Sequence, residues 1–342
     1  MRTVVAAFDK WRGSATGAQA CAAAAVAARA CGWDAAEVPL SDGGEGFLDA
    51  LGGEVRAATV DDPLGRRIAA EWRLRPATGA YGATGVVESA RASGLGLVGG
   101  SKRNDPWKAS SAGTGQLVAA AARAGVARVL VGLGGSATTD GGRGAVDALV
   151  EAGARDGLLD GIEIVTACDV MVPFFGAVDF AAQKGASPAA VERLAVRLQE
   201  TAWRYRDELG ADVVNVPGAG AAGGLGGGLA ALGSRLVSGF DLVASEVGLA
   251  EHLDRADLVV TGEGRLDAAS FRGKVVGGVV AMARRSGVPV LVVTGEVATG
   301  APDPGPGVTV ASLVAMVGRA RAWSDPAGGI AGAVRAFVAT RF

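Results

Sequence analysis

Short β-branched apolar runs recur along this chain, each closing on a glycine, a carboxylate or a hydroxyl, with Ala-rich stretches between them. "TVVAAF" (3–8) predicts a strand, the Ala-rich segment 14–31 a helix, and "AAEVPL" (35–40) a second strand. Toward the other end, "ADLVVTGEG", a helix from Lys274 to Arg285, "VPVLVVTGE", "GVTVASLV" and a closing helix repeat the alternation. Strands alternating with helices imply a parallel sheet covered on both faces. The middle has another texture. "EVRAATV", "RIAAEWRLR" and "TGVVESA" read as short polar-faced strands. Helices over 112–124, 143–153 and 188–209 then alternate with strands at "ARVLVG" and "EIVTAC". The expected fold is therefore α/β with two α/β domains. A doubly wound, Rossmann-like domain comes from segments 1–49 and 246–342, and a mixed α/β domain is inserted over 50–245.

Composition narrows the picture. Of 342 residues, 49% are hydrophobic and only 5% aromatic, so the core must be built from Ala, Val and Leu. The 55 glycines show no period and are not joined by high proline, which points to glycine-built loops and away from collagen or disorder. A net charge of −2 with scattered Lys and Arg leaves no footprint for nucleic acid. Cys21, Cys31 and Cys168 lack CxxC spacing and read as reduced thiols. The start "MRTVVAAFDK" is not a signal peptide, and no stretch of 18 uncharged apolar residues suggests a membrane span. A cytoplasmic protein is expected, with no membrane and no nucleic-acid partner.

Candidate chemistry lies where the strands end. "PLSDGGEGF" (39–47), "GLGGSATTDGG" (132–142), "TACDVMVP" (166–173), "PGAGAAGGLGGGL" (217–229) and "TGEGRLD" (261–267) each follow an apolar run with glycines and a polar group. Ligands of open α/β sheets bind beyond the carboxyl ends of the strands. Gly134 and Gly135 would let backbone N–H groups face a phosphate, with Ser136, Thr138 and Thr139 adding hydroxyls. Gly218, Gly220, Gly223 and Gly224 could serve a second phosphate or a nucleotide. A single Gly-rich turn is more often only a tight connection. Asp42, Glu45, Asp140, Asp169, Glu263 and Asp267 all sit in such loops; one alone would be read as a helix cap, but six exceed what capping requires. Phosphoryl transfer needs carboxylates for Mg²⁺ and for the attacking hydroxyl, and a cation for the moving phosphoryl group. Lys10, Arg12, Lys184, Arg265 and Lys274 are the candidate cations. His252, the single histidine, lies in polar "LAEHLDRAD" and reads as a surface residue.

These loops together resemble the bacterial type I glycerate kinase family over nearly the whole chain. The matching pieces are "PLSDGGEGF", "GTGQLVAAA", "GLGGSATTDGG", "ACDV", "QKGAS", "PGAGAAGGLGGG" and "TGEGRLDAASFRGK", in the family's order. The resemblance implies a two-domain α/β kinase that moves the γ-phosphoryl of ATP, with Mg²⁺, to a hydroxyl of glycerate, giving 2-phosphoglycerate. On that footing Asp42, Asp140, Asp169, Arg12 and Lys184 are the expected catalytic groups, with Asp42 or Asp140 orienting the acceptor hydroxyl. Gly134, Gly135, Ser136, Thr138 and the 218–224 glycines would hold phosphates. Asp9, Arg12, Glu45 and Arg265 would face the substrate, and Asp169, Glu263 and Asp267 the metal. A homodimer is left open.

The chain departs from the family where a small hydroxy acid would be gripped. Asp9-Lys10-Trp11-Arg12-Gly13 stands for Asp-Ser-Phe-Lys-Gly, Thr139 and Val172 stand for Asn, and Ala269 stands for Gln. Arg for Lys at position 12 exchanges a point charge for a planar fork, and a lost partner for a substrate group costs about 1–3 kcal/mol. A kinase of another small hydroxy acid or polyol, and a non-catalytic nucleotide-binding homologue, are the alternatives. A dehydrogenase is disfavoured because "FDKWRGS", not G-x-G-x-x-G, follows the first strand.

Overall fold

The strands, in chain order, are β1 (Thr3–Ala6), β2 (Asp34–Glu37), β3 (Glu54–Asp61), β4 (Arg67–Arg75), β5 (Thr84–Glu88), β6 (Arg128–Leu133), β7 (Glu163–Cys168), β8 (Arg235–Ser238), β9 (Leu258–Leu266), β10 (Val290–Val297) and β11 (Val308–Ser312). They are seen in a computed structural model that describes every residue except 12, 80, 272 and 342. The chain divides into two compact units. The first is Met1–Asp42, Asp49–Leu51 and Phe240–Phe342; the second is Gly43–Leu48 and Gly52–Gly239.

The first unit holds a five-stranded sheet in the order β11-β10-β9-β1-β2, parallel at every pairing. Its strands are apolar along their length because both faces are covered: Val4, Val5, Val259, Val260, Val292 and Val293 are all buried. The helix Gly17–Ala30 starts cleanly. The Thr16 hydroxyl accepts the Gln19 N–H at 3.1 Å, and the Gln19 amide oxygen accepts the Thr16 N–H at 2.9 Å, which closes a capping box. Gly17 allows the close approach there, since a Cβ would lie 2.7 Å from the Phe8 carbonyl oxygen. This helix packs on the closing helix Pro326–Arg341. Trp11 is fully buried in the same core as Phe8, Leu291 and Ile330.

The second unit holds a six-stranded sheet, β3-β4-β5-β6-β7-β8. The pairs β3/β4 and β4/β5 are antiparallel, and β5 through β8 run parallel. Its core joins Trp72, Leu117, Val129, Val131, Leu133, Leu149 and Leu225. A satellite cluster around Phe174, Leu198 and Tyr205 lies under the long helix Pro188–Leu209. One parallel sheet and one mixed sheet, both in α/β units, are the fold class expected from the sequence.

Two elements differ from the sequence reading: β5, read there as polar-faced, is buried at every position because it lies inside the sheet between β4 and β6, and the glycine-rich segment after Val216 is partly helical. The glycine run at 217–229 is not a loop throughout, because Ala221–Ala231 forms a helix with a left-handed kink at Ala222, Gly223 and Gly224. Packing sets this against the low helix propensity of glycine. Every residue from Ala221 to Leu229 is buried, and no side chain larger than hydrogen fits at most of the glycines.

Candidate functional site

Parallel pairing fixes where the chemistry gathers in each unit, because strand ends that run side by side release their loops on the same edge of the sheet. In the first unit the ends of β1, β2 and β9 deliver Asp9 and Lys10, Asp42, and Glu263 to Arg265. With Lys274, Val275, Val276 and Trp323 they line a cavity of about 240 Å³. Lys274 stands at the N-cap position of the helix Val275–Arg285 and lines the cavity with Val275 and Val276, so that helix presents its first turn there and lends it positive potential. The Trp323 ring closes another side; a Cβ at Gly264 would come within 3.3 Å of it.

Three carboxylates share this space with three cations. The Lys10 ammonium lies 3.6 Å from Asp9 and 4.0 Å from Asp42, and the Lys10 N–H donates to Asp9 Oδ1 at 2.6 Å. Burial nonetheless lifts the Asp9 carboxyl to about 7, against the pull of Lys10 and with a further push from Asp42. Glu263 is raised too, chiefly by burial, while Ser270 and Lys274 hold it down. Its Oε1 is shielded from solvent and meets no partner among the described residues, so it is an acceptor awaiting a donor or a cation. Arg265 is more exposed and lies 3.8 Å from Glu296, which also pairs with Arg319. Asp267 is engaged elsewhere. Its Oδ1 accepts the N–H groups of Ala269 and Ser270 at 2.8 and 3.3 Å and closes a local turn.

In the second unit the ends of β5, β6 and β7 give Glu88, the Gly134–Thr138 loop and Asp169. Glu88, which sequence reasoning passed over, is buried and accepts the Gly46 and Leu48 N–H groups at 3.1 and 3.4 Å. The signal for it was its place at the end of an apolar strand. Lys184 is buried under the glycine loop. Its ammonium donates to Ser136 Oγ at 2.8 Å and to the Thr138 carbonyl at 2.6 Å. Burial pulls its pKa down to about 8, with Asp169 and Asp140 opposing. Gly134 is glycine because a Cβ would meet Gly44 Cα at 2.5 Å; Asp169 Oδ2 would lie 3.4 Å from that Cβ. Thr138 Oγ1 and Thr139 Oγ1 are buried without a partner among the described residues.

Asp140 takes a different part from the one its loop suggested. Its two oxygens accept Ser111 N–H and Oγ–H at 2.8 Å each, Gly142 N–H at 3.1 Å and Gly144 N–H at 3.2 Å. Three of those bonds fall on Oδ2 and one on Oδ1, and together they tie the starts of the helices Ala112–Arg123 and Arg143–Glu151. The second glycine cluster likewise has a packing reason. A Cβ at Gly223 would collide with the Thr138 carbonyl oxygen, one at Gly224 would lie 2.6 Å from Gly141 Cα, and one at Gly218 2.9 Å from Cys168 Sγ. Gly220 gives its N–H to the Val172 carbonyl. The run lets two backbones touch.

The structure thus gathers Asp9, Asp42, Glu263 and Arg265 in one cavity, and Gly134, Ser136, Thr138, Asp169 and Lys184 around one loop. Gly135 belongs to that loop with a φ of +61°. Glu45 is exposed and is not among the cavity-lining residues. Arg12 lies outside the described residues. Among the described residues no three His, Cys, Asp or Glu side chains cluster as a metal cage, and no helix is long and apolar enough to cross a membrane. Mg²⁺ needs only one or two carboxylates beside phosphate oxygens and water, and Glu263 with its unpartnered oxygen fits that requirement.

Comparison with known proteins adds to this geometry. The sequence model described as the glycerate kinase family matches residues 4–152 and 150–340. An uncharacterized protein of Mycobacterium bovis is 44% identical over 288 residues, covering 80% of this chain and 74% of that protein. The glycerate 2-kinase of Escherichia coli K12 is 38% identical over 292 residues, covering 76% and 75%. A crystal structure of a protein assigned as glycerate kinase 2 from Salmonella typhimurium LT2 superposes with a TM-score of 0.80 at 32% identity, covering 99% of this chain and 98% of that one.

Proposed function

This chain belongs to the glycerate kinase family, and from that premise we propose that it transfers the γ-phosphoryl group of ATP to a hydroxyl of glycerate, forming 2-phosphoglycerate. The observation that carries the reading is the cavity of the first unit, where acids and cations converge with a helix start. Lys274 and the N-terminal turn of Val275–Arg285 suit the carboxylate of a small hydroxy acid. Asp42 and Asp9 offer oxygens to its hydroxyl, and Lys10 steadies both acids. In the second unit, Lys184 and the Gly134–Thr138 loop suit phosphate oxygens, and the unpartnered Thr138 and Thr139 hydroxyls leave donors available. Within the first unit Glu263, with its unpartnered Oε1, is the candidate carboxylate for Mg²⁺, and within the second unit Asp169 is the acid beside the phosphate loop. Bound Mg²⁺–ATP supplies the phosphoryl group and neutralises its charge; the protein's part is to position and to exclude water.

Glycerate is favoured over another hydroxy acid by where the departures fall. Of the departures at described residues, Lys10, Trp11, Thr139, Val172 and Ala269, only Lys10 lines the cavity; the remaining departure, Arg12, lies outside the described residues. Trp11 and Thr139 are buried, Val172 gives its carbonyl to Gly218 and Gly220, and Ala269 gives its N–H to Asp267.

Coupled ADP release over a panel of hydroxy acids and polyols, with the product read by phosphorus NMR, tests the assignment. Glycerate is expected to rank first, and Asp42→Asn to lower kcat about a hundredfold with the fold intact. A panel in which glycerate ranks low, or an Asp42→Asn enzyme of normal turnover, overturns it.

A further inference from the structure

Outside both groups described above, one aromatic ring carries two guanidinium groups. Arg193 Cζ lies 4.2 Å and Arg197 Cζ 3.8 Å from the centroid of Trp107. The two arginines are four residues apart on the helix Pro188–Leu209 and so share a face. Neither has a carboxylate partner among the described residues. A guanidinium stacked on indole uses its flat face, and its N–H groups stay free in the plane. Like charges held side by side repel, so an arrangement of this kind is stable in company with an anion.

The ring is tied to the glycine loop. Asn104 donates to the carbonyls of Ala137 and Lys184 at 2.9 and 2.8 Å. Asp105 Oδ1 then accepts the Trp107 and Lys108 N–H groups at 3.1 and 3.2 Å, which fixes the turn that presents the indole. Asp140 is felt by both Arg197 and Lys184, yet the hydrogen bonds its carboxylate accepts come from Ser111, Gly142 and Gly144. It offers Arg197 field without a hydrogen bond. Burial is the main reason that Arg197 holds its proton less firmly than a free guanidinium; Arg143 and Arg193 add to it, and Asp140 and Glu200 oppose it.

We propose that Trp107, Arg193 and Arg197 form a platform that holds the polyphosphate tail of the nucleoside triphosphate beside the Ser136–Thr138 loop and Lys184. Two forks one helical turn apart match a chain of phosphates better than a single carboxylate, because each fork can take two oxygens. The indole keeps both side chains extended, so less rotamer freedom is lost on binding. The proposal deepens the kinase reading and rests on it for the identity of the ligand.

The test is calorimetric titration of the full-length protein with ATP, inorganic tripolyphosphate and adenosine. Arg193→Gln/Arg197→Gln is expected to weaken ATP and tripolyphosphate at least about tenfold and to leave adenosine unchanged, and Arg193→Lys/Arg197→Lys, which keeps the charge but loses the fork and the stacking, to recover only part of that loss. Arg193→Gln alone, at an exposed position, serves if the double variant fails to fold, with a smaller loss in the same two ligands. Unchanged binding of both polyphosphates to a folded variant overturns the platform, as does an equal loss for adenosine. A wild-type protein that transfers phosphate to glycerate while the double variant keeps its KM for ATP overturns the platform alone. Weakened tripolyphosphate binding in a protein that phosphorylates nothing supports the platform and overturns the kinase reading.

Discussion

Asp9 shows how much the setting of a single side chain decides. Its carboxyl is lifted to about 7 by burial even though Lys10 sits beside it. In the unfolded chain the same group loses its proton near 3.8. Between those values the native state binds more protons than the unfolded state, so this residue lowers stability as pH rises from about 4 to 7. Asp9→Asn keeps the shape and removes the titration. Urea denaturation is expected to show the variant gaining stability over wild type at pH 8 and not at pH 4, and an equal difference at both pH values would contradict the burial. Sequence marked Asp42, Asp140 and Asp267 alike as acids in glycine-rich loops, yet they end in different roles. Asp140 is spent on helix starts and Asp267 on a turn, while Asp42 lines the cavity beside Asp9. The difference lies in donors such as Ser111, 29 residues away from Asp140, which local pattern does not reveal.

Among the elements, strands and long helices followed the hydrophobic pattern closely: 54–60 lies within β3, and 188–209 matches Pro188–Leu209. The glycine run near 220 did not, because its helix is imposed by contact with the 138–142 loop and not by its own propensity. Gly142 and Gly161 separate the two demands on glycine. Both have positive φ, +77° and +74°, but a Cβ at Gly142 would lie 2.9 Å from Leu225 Cα, while at Gly161 it meets nothing within 4 Å. Gly161→Ala is expected to cost about 1 kcal/mol for backbone strain alone. Gly142→Ala adds a backbone collision and is expected to cost at least about 3 kcal/mol. Chemical denaturation of both variants measures the difference, and equal losses would mean that the two loops do not pack as described.

At the level of the whole molecule, the two sheets have separate cores. The cluster around Val4, Phe8, Leu291 and Ile330 draws only on the first unit, and that around Trp72, Leu117, Leu133 and Leu225 only on the second. A fragment spanning 43–239 carries the second core complete. It is expected to unfold cooperatively in urea with the circular dichroism of an α/β protein. A gradual, non-cooperative loss of signal would show that this core does not hold by itself.

Sequence alone determined the α/β class, the parallel alternation of the terminal segments, the family, and the strand-end loops that carry the acids and cations. These follow from short-range order, since burial on two faces demands continuous apolar strands and close backbone contacts demand glycine. Tertiary structure decided which of those polar groups are consumed as caps, which meet in the cavity of the first unit, and that Trp107 receives Arg193 and Arg197. Those pairings join residues dozens to hundreds of positions apart. A side chain's partners, and therefore its charge and its chemistry, are set by what packing brings beside it.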